Sequence, residues 1–246
     1  MSFSYNGVWD ETVRTLRANT SLLLAVAGVF LFLPALVVGF LAPPPQAQTV
    51  PAMLAHYREN GATLFIGQLV AFVGNLALLI LVLDERRPTV GGAIRASLAM
   101  LPAYLLVSIL SGFMLMAGFF LLIIPFFYLI GRLAATGPVL VAEGRRNPFD
   151  IIKRSFEVTK GNGWATVGLI LIVFIAFYIL MLAVTFVFGS IFIIVDRITG
   201  GNVGAFLLLL LSAGIGAAFN VVLMVLVSSV YRRLSGQPGR GPTNGI

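Results

Sequence analysis

Six long apolar stretches alternate with short polar segments along the chain, at about 22–41, 61–83, 103–122, 125–142, 164–195 and 203–230. A helix needs roughly 20 apolar residues to cross a hydrocarbon core about 30 Å thick, so each stretch is predicted to be a membrane-spanning helix. The fifth, at 32 residues, would be about 48 Å long at 1.5 Å per residue, and Gly189-Ser190 is its natural break, leaving 191–194 along the outer interface. The third and fourth are joined at Leu122-Ile123-Ile124-Pro125 without a polar loop, which predicts a tight hairpin with the proline marking the turn. The first apolar run is about twice the length of a signal-peptide core and follows Asp10 and Glu11, so the N-terminal segment is expected to be retained.

Composition agrees with this pattern. Of 246 residues 59% are hydrophobic and 10% charged, with a mean hydropathy of +1.02, which leaves too little polar surface to cover a soluble globule. The expected fold is all-α: one polytopic membrane domain over 1–246 with six transmembrane helices and short amphipathic interfacial helices, ending in a flexible tail at 231–246. Zero cysteines exclude disulfides and thiolate chemistry, and the single histidine, His56, excludes a histidine metal cluster. His56 reads as a residue of the outer loop.

The net charge of +7 is a matter of topology. Thirteen bases (Arg14, Arg17, Arg86, Arg87, Arg95, Arg145, Arg146, Lys153, Arg154, Lys160, Arg232, Arg233 and Arg240) fall on one side of the spans, and only Arg58 and Arg197 on the other. By the positive-inside rule both termini are expected in the cytoplasm, and nucleic acid drops out as a partner. Arg132, the sixteenth base, lies inside the fourth span.

Each cytoplasmic hairpin is preceded by a short amphipathic segment, at 8–17, 89–98 and 149–160. In the third, Asn147 can cap, Pro148 suits the first helical position and Gly161 can end the helix left-handed. Phe149, Ile152, Phe156 and Thr159 share one face, predicted to lie in lipid, while Asp150 with Arg154 and Lys153 with Glu157 can pair at i, i+4 on the other. Ile94-Arg95-Ala96-Ser97 echoes Ile152-Lys153-Arg154-Ser155, and Arg14-Thr15-Leu16 is a weaker copy. The segments suggest three repeated helix-plus-hairpin units in the same orientation, although any basic cytoplasmic loop would look similar.

The stretch Pro125-Phe126-Phe127-Tyr128, Arg132, Gly137-Pro138-Val139-Leu140-Val141-Ala142-Glu143, then Asp150 through Ser155 to Gly161-Asn162-Gly163-Trp164, resembles the glycerophosphoryl diester phosphodiesterase membrane-domain family and related six-span bacterial inner-membrane proteins. About forty residues carry the resemblance. It implies a multi-pass protein of the bacterial cytoplasmic (inner) membrane that supports lipid or envelope processes. The soluble phosphodiesterase barrel that follows the membrane part in that family is expected to be absent, which leaves a stand-alone membrane module.

No paired acids, activated nucleophile or metal cluster is legible, so the expectation is a protein that is not an enzyme and has no cofactor. Asp84, Glu85, Glu143 and Asp150 sit beside bases and read as solvated ion pairs. Arg132 is the sharpest feature, since a charge at the centre of a span costs about 2.5–3.5 kcal/mol or more. Its possible partners are Gln68, Asn75, Asn220, backbone carbonyls, Tyr128 or a lipid phosphate, and snorkelling toward the outer surface is a structural alternative. Gln68 and Asn75, seven apart, read as interhelical hydrogen-bond glue. Ala35/Gly39, Ser108/Gly112 and Ser212/Gly216 are expected to let helices approach closely, and Trp164, Tyr128, Tyr231 and Tyr104 to form an interface belt. The function these features suggest is binding or organising anionic phospholipid, with Arg132, Lys153, Arg154 and Arg95 as the candidate lipid-binding residues. A small-molecule or lipid transporter, with a cavity lined by Gln68, Asn75, Arg132 or Asn220, and a scaffold for another membrane protein or a homo-oligomer are the alternatives.

Overall fold

A computed structural model describes residues 4–236 apart from 46, 48, 85 and 87, so Glu85, Arg87, Arg240 and the rest of 237–246 lie outside it. It is 88% helical, with no strand among the described residues. Ten α-helices follow in chain order: α1 Tyr5–Ala18, α2 Thr20–Ala27, α3 Leu33–Leu41, α4 Val50–Leu83, α5 Val90–Leu121, α6 Ile123–Leu133, α7 Thr136–Ala142, α8 Pro148–Val158, α9 Gly163–Thr199 and α10 Val203–Ser235. Six stretches are long and apolar enough to cross a membrane: Thr20–Leu41, Val50–Leu83, Val90–Leu121, Ile123–Ala142, Gly163–Ile198 and Val203–Ser235. The chain is therefore an all-α polytopic membrane protein, as the hydrophobic pattern predicts.

Local sequence explains most helix ends. The side chains of Ser4, Thr49, Thr89 and Asn147 accept from backbone N–H groups in the first turns of α1, α4, α5 and α8. Gly161 and Gly200, at φ 79° and 66°, take the left-handed conformation that ends the turn after α8 and helix α9. Between α2 and α3 the helix widens into a π turn over Gly28–Phe32, directly ahead of Pro34. A proline has no N–H and its ring displaces the carbonyl four residues earlier, and the wider turn absorbs both effects. The hairpin between the third and fourth spans is as tight as expected: Leu122 alone is extended between α5 and α6, and Pro125 lies in the first turn of α6.

Several boundaries differ from the sequence reading. With Thr49 as cap and Pro51 in the first turn, α4 begins eleven residues before the predicted span, so His56, Arg58 and Glu59 are helical rather than in a loop. The segment 89–98 is no separate interfacial helix, because α5 runs unbroken from Val90 through Pro102. Gly189-Ser190 does not break α9 either. The Ser190 hydroxyl donates back to the Phe186 carbonyl at 2.7 Å, so its polar group is satisfied within the helix. At 37 residues and about 55 Å, α9 must tilt or protrude. At the C-terminal end the expected tail starts too early: α10 continues to Ser235, because Tyr231 and Arg232 are buried against the bundle.

The core is concentrated at one end of the bundle. Every residue of α4 from Val73 to Leu83 is buried, as is every residue of α10 from Val225 to Arg232. Helices apolar all round belong in such central positions. The π turn and α2 pack on one side of this pair, α5, α7 and α8 on a second, and α1 with α9 on a third. Four buried hydroxyls need no partner helix, because Thr12, Ser97, Ser228 and Ser229 each donate to the carbonyl four residues earlier, at 2.7–3.0 Å.

Helices α1 and α8 turn their inner faces to protein. Val8 of α1 packs among Leu169, Val173, Leu226 and Val230, and the buried face of α8 is Ile151, Ser155 and Val158. The stripe predicted to enter lipid is divided: Phe149 is 68% exposed, while Thr159 is fully buried. Ser97 and Ser155, equivalent in the repeat reading, are both fully buried.

Of the three small-residue pairs only Ala35/Gly39 marks a close approach, with Leu209 of α10 set against Gly39; nothing approaches the α-carbons of Gly112 or Gly216 on that side. The tightest backbone approaches are instead Gly131 to the Gly163 carbonyl and Gly204 to the Phe192 carbonyl. At the latter corner the Asp196 carboxylate accepts from Gly204 N at 2.6 Å and Ala205 N at 3.1 Å, capping α10 from the preceding helix. A carboxylate on free N–H groups at the positive end of a helix contributes about 1 kcal/mol. Asp196→Ala is therefore expected to lower stability by about 1 kcal/mol, and Asp196→Asn by less, as read from thermal unfolding in a neutral detergent. An unchanged melting temperature in Asp196→Ala would count against this cap.

Candidate functional site

The polar chemistry of the described residues gathers at the end of the bundle where α1, α8 and the last turn of α10 meet. Two carboxylates organise it. Glu143, just past α7, accepts from Arg145 Nε at 2.7 Å, Arg154 Nε at 2.8 Å and the Tyr231 hydroxyl at 3.1 Å, so it ties α7, α8 and α10 together. Glu11 of α1 accepts from Arg233 Nε at 2.9 Å and lies 3.9 Å from Arg232, which in turn donates to the Val82 carbonyl at the end of α4. Arg146 donates to the Ala99 carbonyl of α5 at 2.9 Å. These contacts bring the ends of α4, α5, α7 and α10 to one level, together with the bases flanking them.

Burial pushes the Glu143 carboxyl up, but the hydrogen bonds from Arg154, Arg145 and Tyr231 outweigh it and hold the group below the ordinary carboxylate range. Arg154 is held correspondingly more tightly protonated by its hydrogen bond to Glu143. The pairing expected on α8 is thus replaced. Arg154 reaches Glu143 and, at 3.3 Å, Glu157, rather than Asp150, because the docked helix points it at the end of α7. Tyr231, expected in an interface belt, is 1% exposed and belongs to the core. Tyr104 is half-buried against Phe72, and Trp164 and Tyr128 remain on the surface with ring centroids 5.7 Å apart.

Arg132 occupies a second position at the same end. It sits in the last turn of α6, before the break at residues 134–135, and is 8% exposed. Its carbonyl accepts the hydroxyls of Ser155 at 2.7 Å and Thr159 at 3.4 Å, which locks α6 to α8. The guanidinium carbon stands 4.8 Å from the Phe156 ring centroid and 5.7 Å from that of Tyr128. Among the described residues its Nε and Nη1 have no hydrogen-bond partner. Cation–π contact with two rings offsets about 1–2 kcal/mol of the desolvation cost and leaves the donors unused. Arg132 does not snorkel outward, because α8 folds back against the break between α6 and α7 and covers it.

The remaining candidates do not converge on Arg132. Gln68 is exposed, Asn75 is buried with Oδ1 unpartnered, and Asn220 donates to the Gly216 carbonyl of its own helix at 2.9 Å. None of the three makes an interhelical hydrogen bond among the described residues. A groove of about 310 Å³ between α2, the π turn and α10 is lined by Leu24, Ala27, Gly28, Phe32, Ala217 and other apolar residues. Arg95 and Lys153 are exposed and carry no ion pair among the described residues. The hub at Glu143 and the clamp at Glu11 were missed at the sequence level. In a chain with nine acids, a glutamate at the very end of an apolar span was the available signal. No family model, curated protein or solved structure matches this chain.

A lowered folded-state pKa makes the Glu143 contribution largest above the carboxylate's unfolded pKa of about 4.3, and the contribution is lost as pH falls through the folded value. Glu143→Gln is expected to cost about 2 kcal/mol at pH 7, with the gap to wild type closing below about pH 4. Melting temperatures of both proteins between pH 3 and 7 check this, and a gap that widens toward low pH would contradict it.

Proposed function

We propose that the protein is a non-enzymatic integral membrane protein that binds or organises anionic phospholipids along its basic end, with that end and both termini in the cytoplasm. The observation that carries this reading is the surplus of unneutralised charge there. Among the described residues Arg14, Arg17, Arg95, Lys153 and Lys160 are exposed without a carboxylate partner, after Glu11, Asp84, Glu143 and Glu157 have paired with other arginines, and they outnumber the unpaired acids Asp10 and Asp150 at that end. Bases next to a membrane surface each contribute about 1 kcal/mol toward an anionic leaflet. Exposed aromatics beside them, Trp9, Trp164 and Phe149, suit the headgroup level. The resemblance to a membrane-domain family associated with phospholipid-derived diesters also supports a lipid-facing role, and its forty residues span α6, α7, α8 and the start of α9. Gln68, Asn75 and Asn220 make no interhelical hydrogen bond among the described residues, which favours the lipid reading over the transporter alternative.

Native mass spectrometry after gentle extraction tests the lipid reading. Anionic lipid is expected to be enriched over zwitterionic lipid on the wild-type protein and reduced in Arg95→Ala/Lys153→Ala; no enrichment would sink it. The sequence contains no cysteine, so single-cysteine labelling reads the orientation without background. Gly201→Cys should react with an impermeant maleimide in intact cells, and Arg145→Cys only after the membrane is opened. The reverse pattern would invert the proposed topology.

A further inference from the structure

The site at Arg132 has the parts of an anion receptor, and we infer that the junction of α6, α8 and α9 binds a phosphate group, supplied by a lipid headgroup or by free phosphate. The inference deepens the lipid reading above but rests on different residues. A guanidinium buried to 8% exposure with Nε and Nη1 unpartnered carries a full positive charge that no carboxylate in the described structure meets. Buried charges are otherwise paired, because leaving them unpaired costs several kcal/mol.

The stem of the same side chain packs against the start of a long helix. Arg132 Cδ lies 3.0 Å from where a β-carbon on Gly163 would stand, and Gly163 is the first residue of the 37-residue α9. Asn162, at the cap position, makes no side-chain hydrogen bond to the first turn. The leading N–H groups of a helix have no partner within it, and they sit at the positive end of its dipole. Two independent sets of donors, the flat fork of an arginine and an uncapped helix N-terminus, therefore lie next to each other where Gly131 and Gly163 bring α6 and α9 unusually close. That combination is the chemistry that recognises tetrahedral oxyanions.

The surroundings fit a ligand approaching from the membrane surface. Trp164, 54% exposed, and Tyr128 stand at the surface beside Arg132, and Lys160 is exposed just before α9. Phe156 packs on the guanidinium from α8, holding it in place without using its donors. The Ser155 and Thr159 hydroxyls are turned to the Arg132 carbonyl, so they fix the backbone of the site.

Trp164 makes the site readable. The chain has two tryptophans, so Trp9→Phe leaves Trp164 as the sole indole, beside Tyr128 and Arg132. In a neutral detergent, this variant is titrated with inorganic phosphate, with short-chain phosphatidylglycerol, and with chloride at matched ionic strength. A saturable change in Trp164 emission with phosphate identifies a free-anion site, and one confined to phosphatidylglycerol identifies a headgroup site; either supports the inference. Affinity should fall about tenfold or more in Arg132→Gln, and less in Arg132→Lys, which keeps the charge but loses the fork. A response matched by chloride, or one unchanged in both Arg132 variants, overturns the site. Arg95→Ala/Lys153→Ala, which should reduce lipid enrichment, should leave the Trp164 titration unaltered, so the surface reading and the Arg132 site fail separately.

Discussion

Lipid offers no hydrogen bonds and no hydrophobic gain from bringing one apolar helix against another, and the architecture follows from that constraint. Within the spanning helices Ser97, Ser228 and Ser229 bond back one turn, and Asn220 does the same. What holds helix to helix is close packing where side chains are small, and a few charged clamps where the bundle leaves the membrane. The clamps lie at one end. Glu143 joins α7, α8 and α10, Glu11 joins α1 to α10, and Arg232 reaches α4, so the basic end is the tied end of the bundle.

This one-sided fastening explains the distribution of burial. The halves of α4 and α10 that lie within the clamped end are enclosed by α1, α7 and α8, whereas their other halves are largely exposed to the space that lipid would fill. The two short amphipathic helices become part of the core here. Each contributes a hydroxyl-bearing face, Thr12 and Thr15 on α1 and Ser155 on α8, together with the aliphatic residues that cover α10 and α7. Their charged faces supply part of the exposed basic surface on which the lipid reading depends, so the same docking that stabilises the bundle also fixes where that charge is displayed.

Arg132 stands apart from this pattern. Every other buried charge at the basic end is engaged, whereas Arg132 is stacked on Phe156 and Tyr128 with its donors free. Removing the hydroxyl-bearing Ser155 of α8 and Thr159 just after it from solvent to secure its carbonyl is an arrangement that positions a side chain, and the approach of Gly131 to Gly163 brings a helix N-terminus beside it.

Composition and the run lengths of apolar residues determined the all-α membrane class, the six spans, the tight hairpin at Leu122 and the cap at Asn147, because each depends on local chemistry read over one helix or less. The asymmetry of Arg and Lys placed the basic residues together, and the structure brings the ends of the helices that carry them to one level. Other features needed the tertiary structure. Whether a helix persists past Gly189-Ser190 or Pro102 depends on neighbours and on a single back-bonded hydroxyl. Arg154 choosing Glu143 over Asp150, or Glu11 meeting residues 222 positions away, depends on how α1 and α8 dock. The sequence singled out Arg132 as a charge without an obvious partner. Only packing decided that it faces inward at the basic end, between two rings and a helix N-terminus, since a helix has no sidedness until its neighbours choose one.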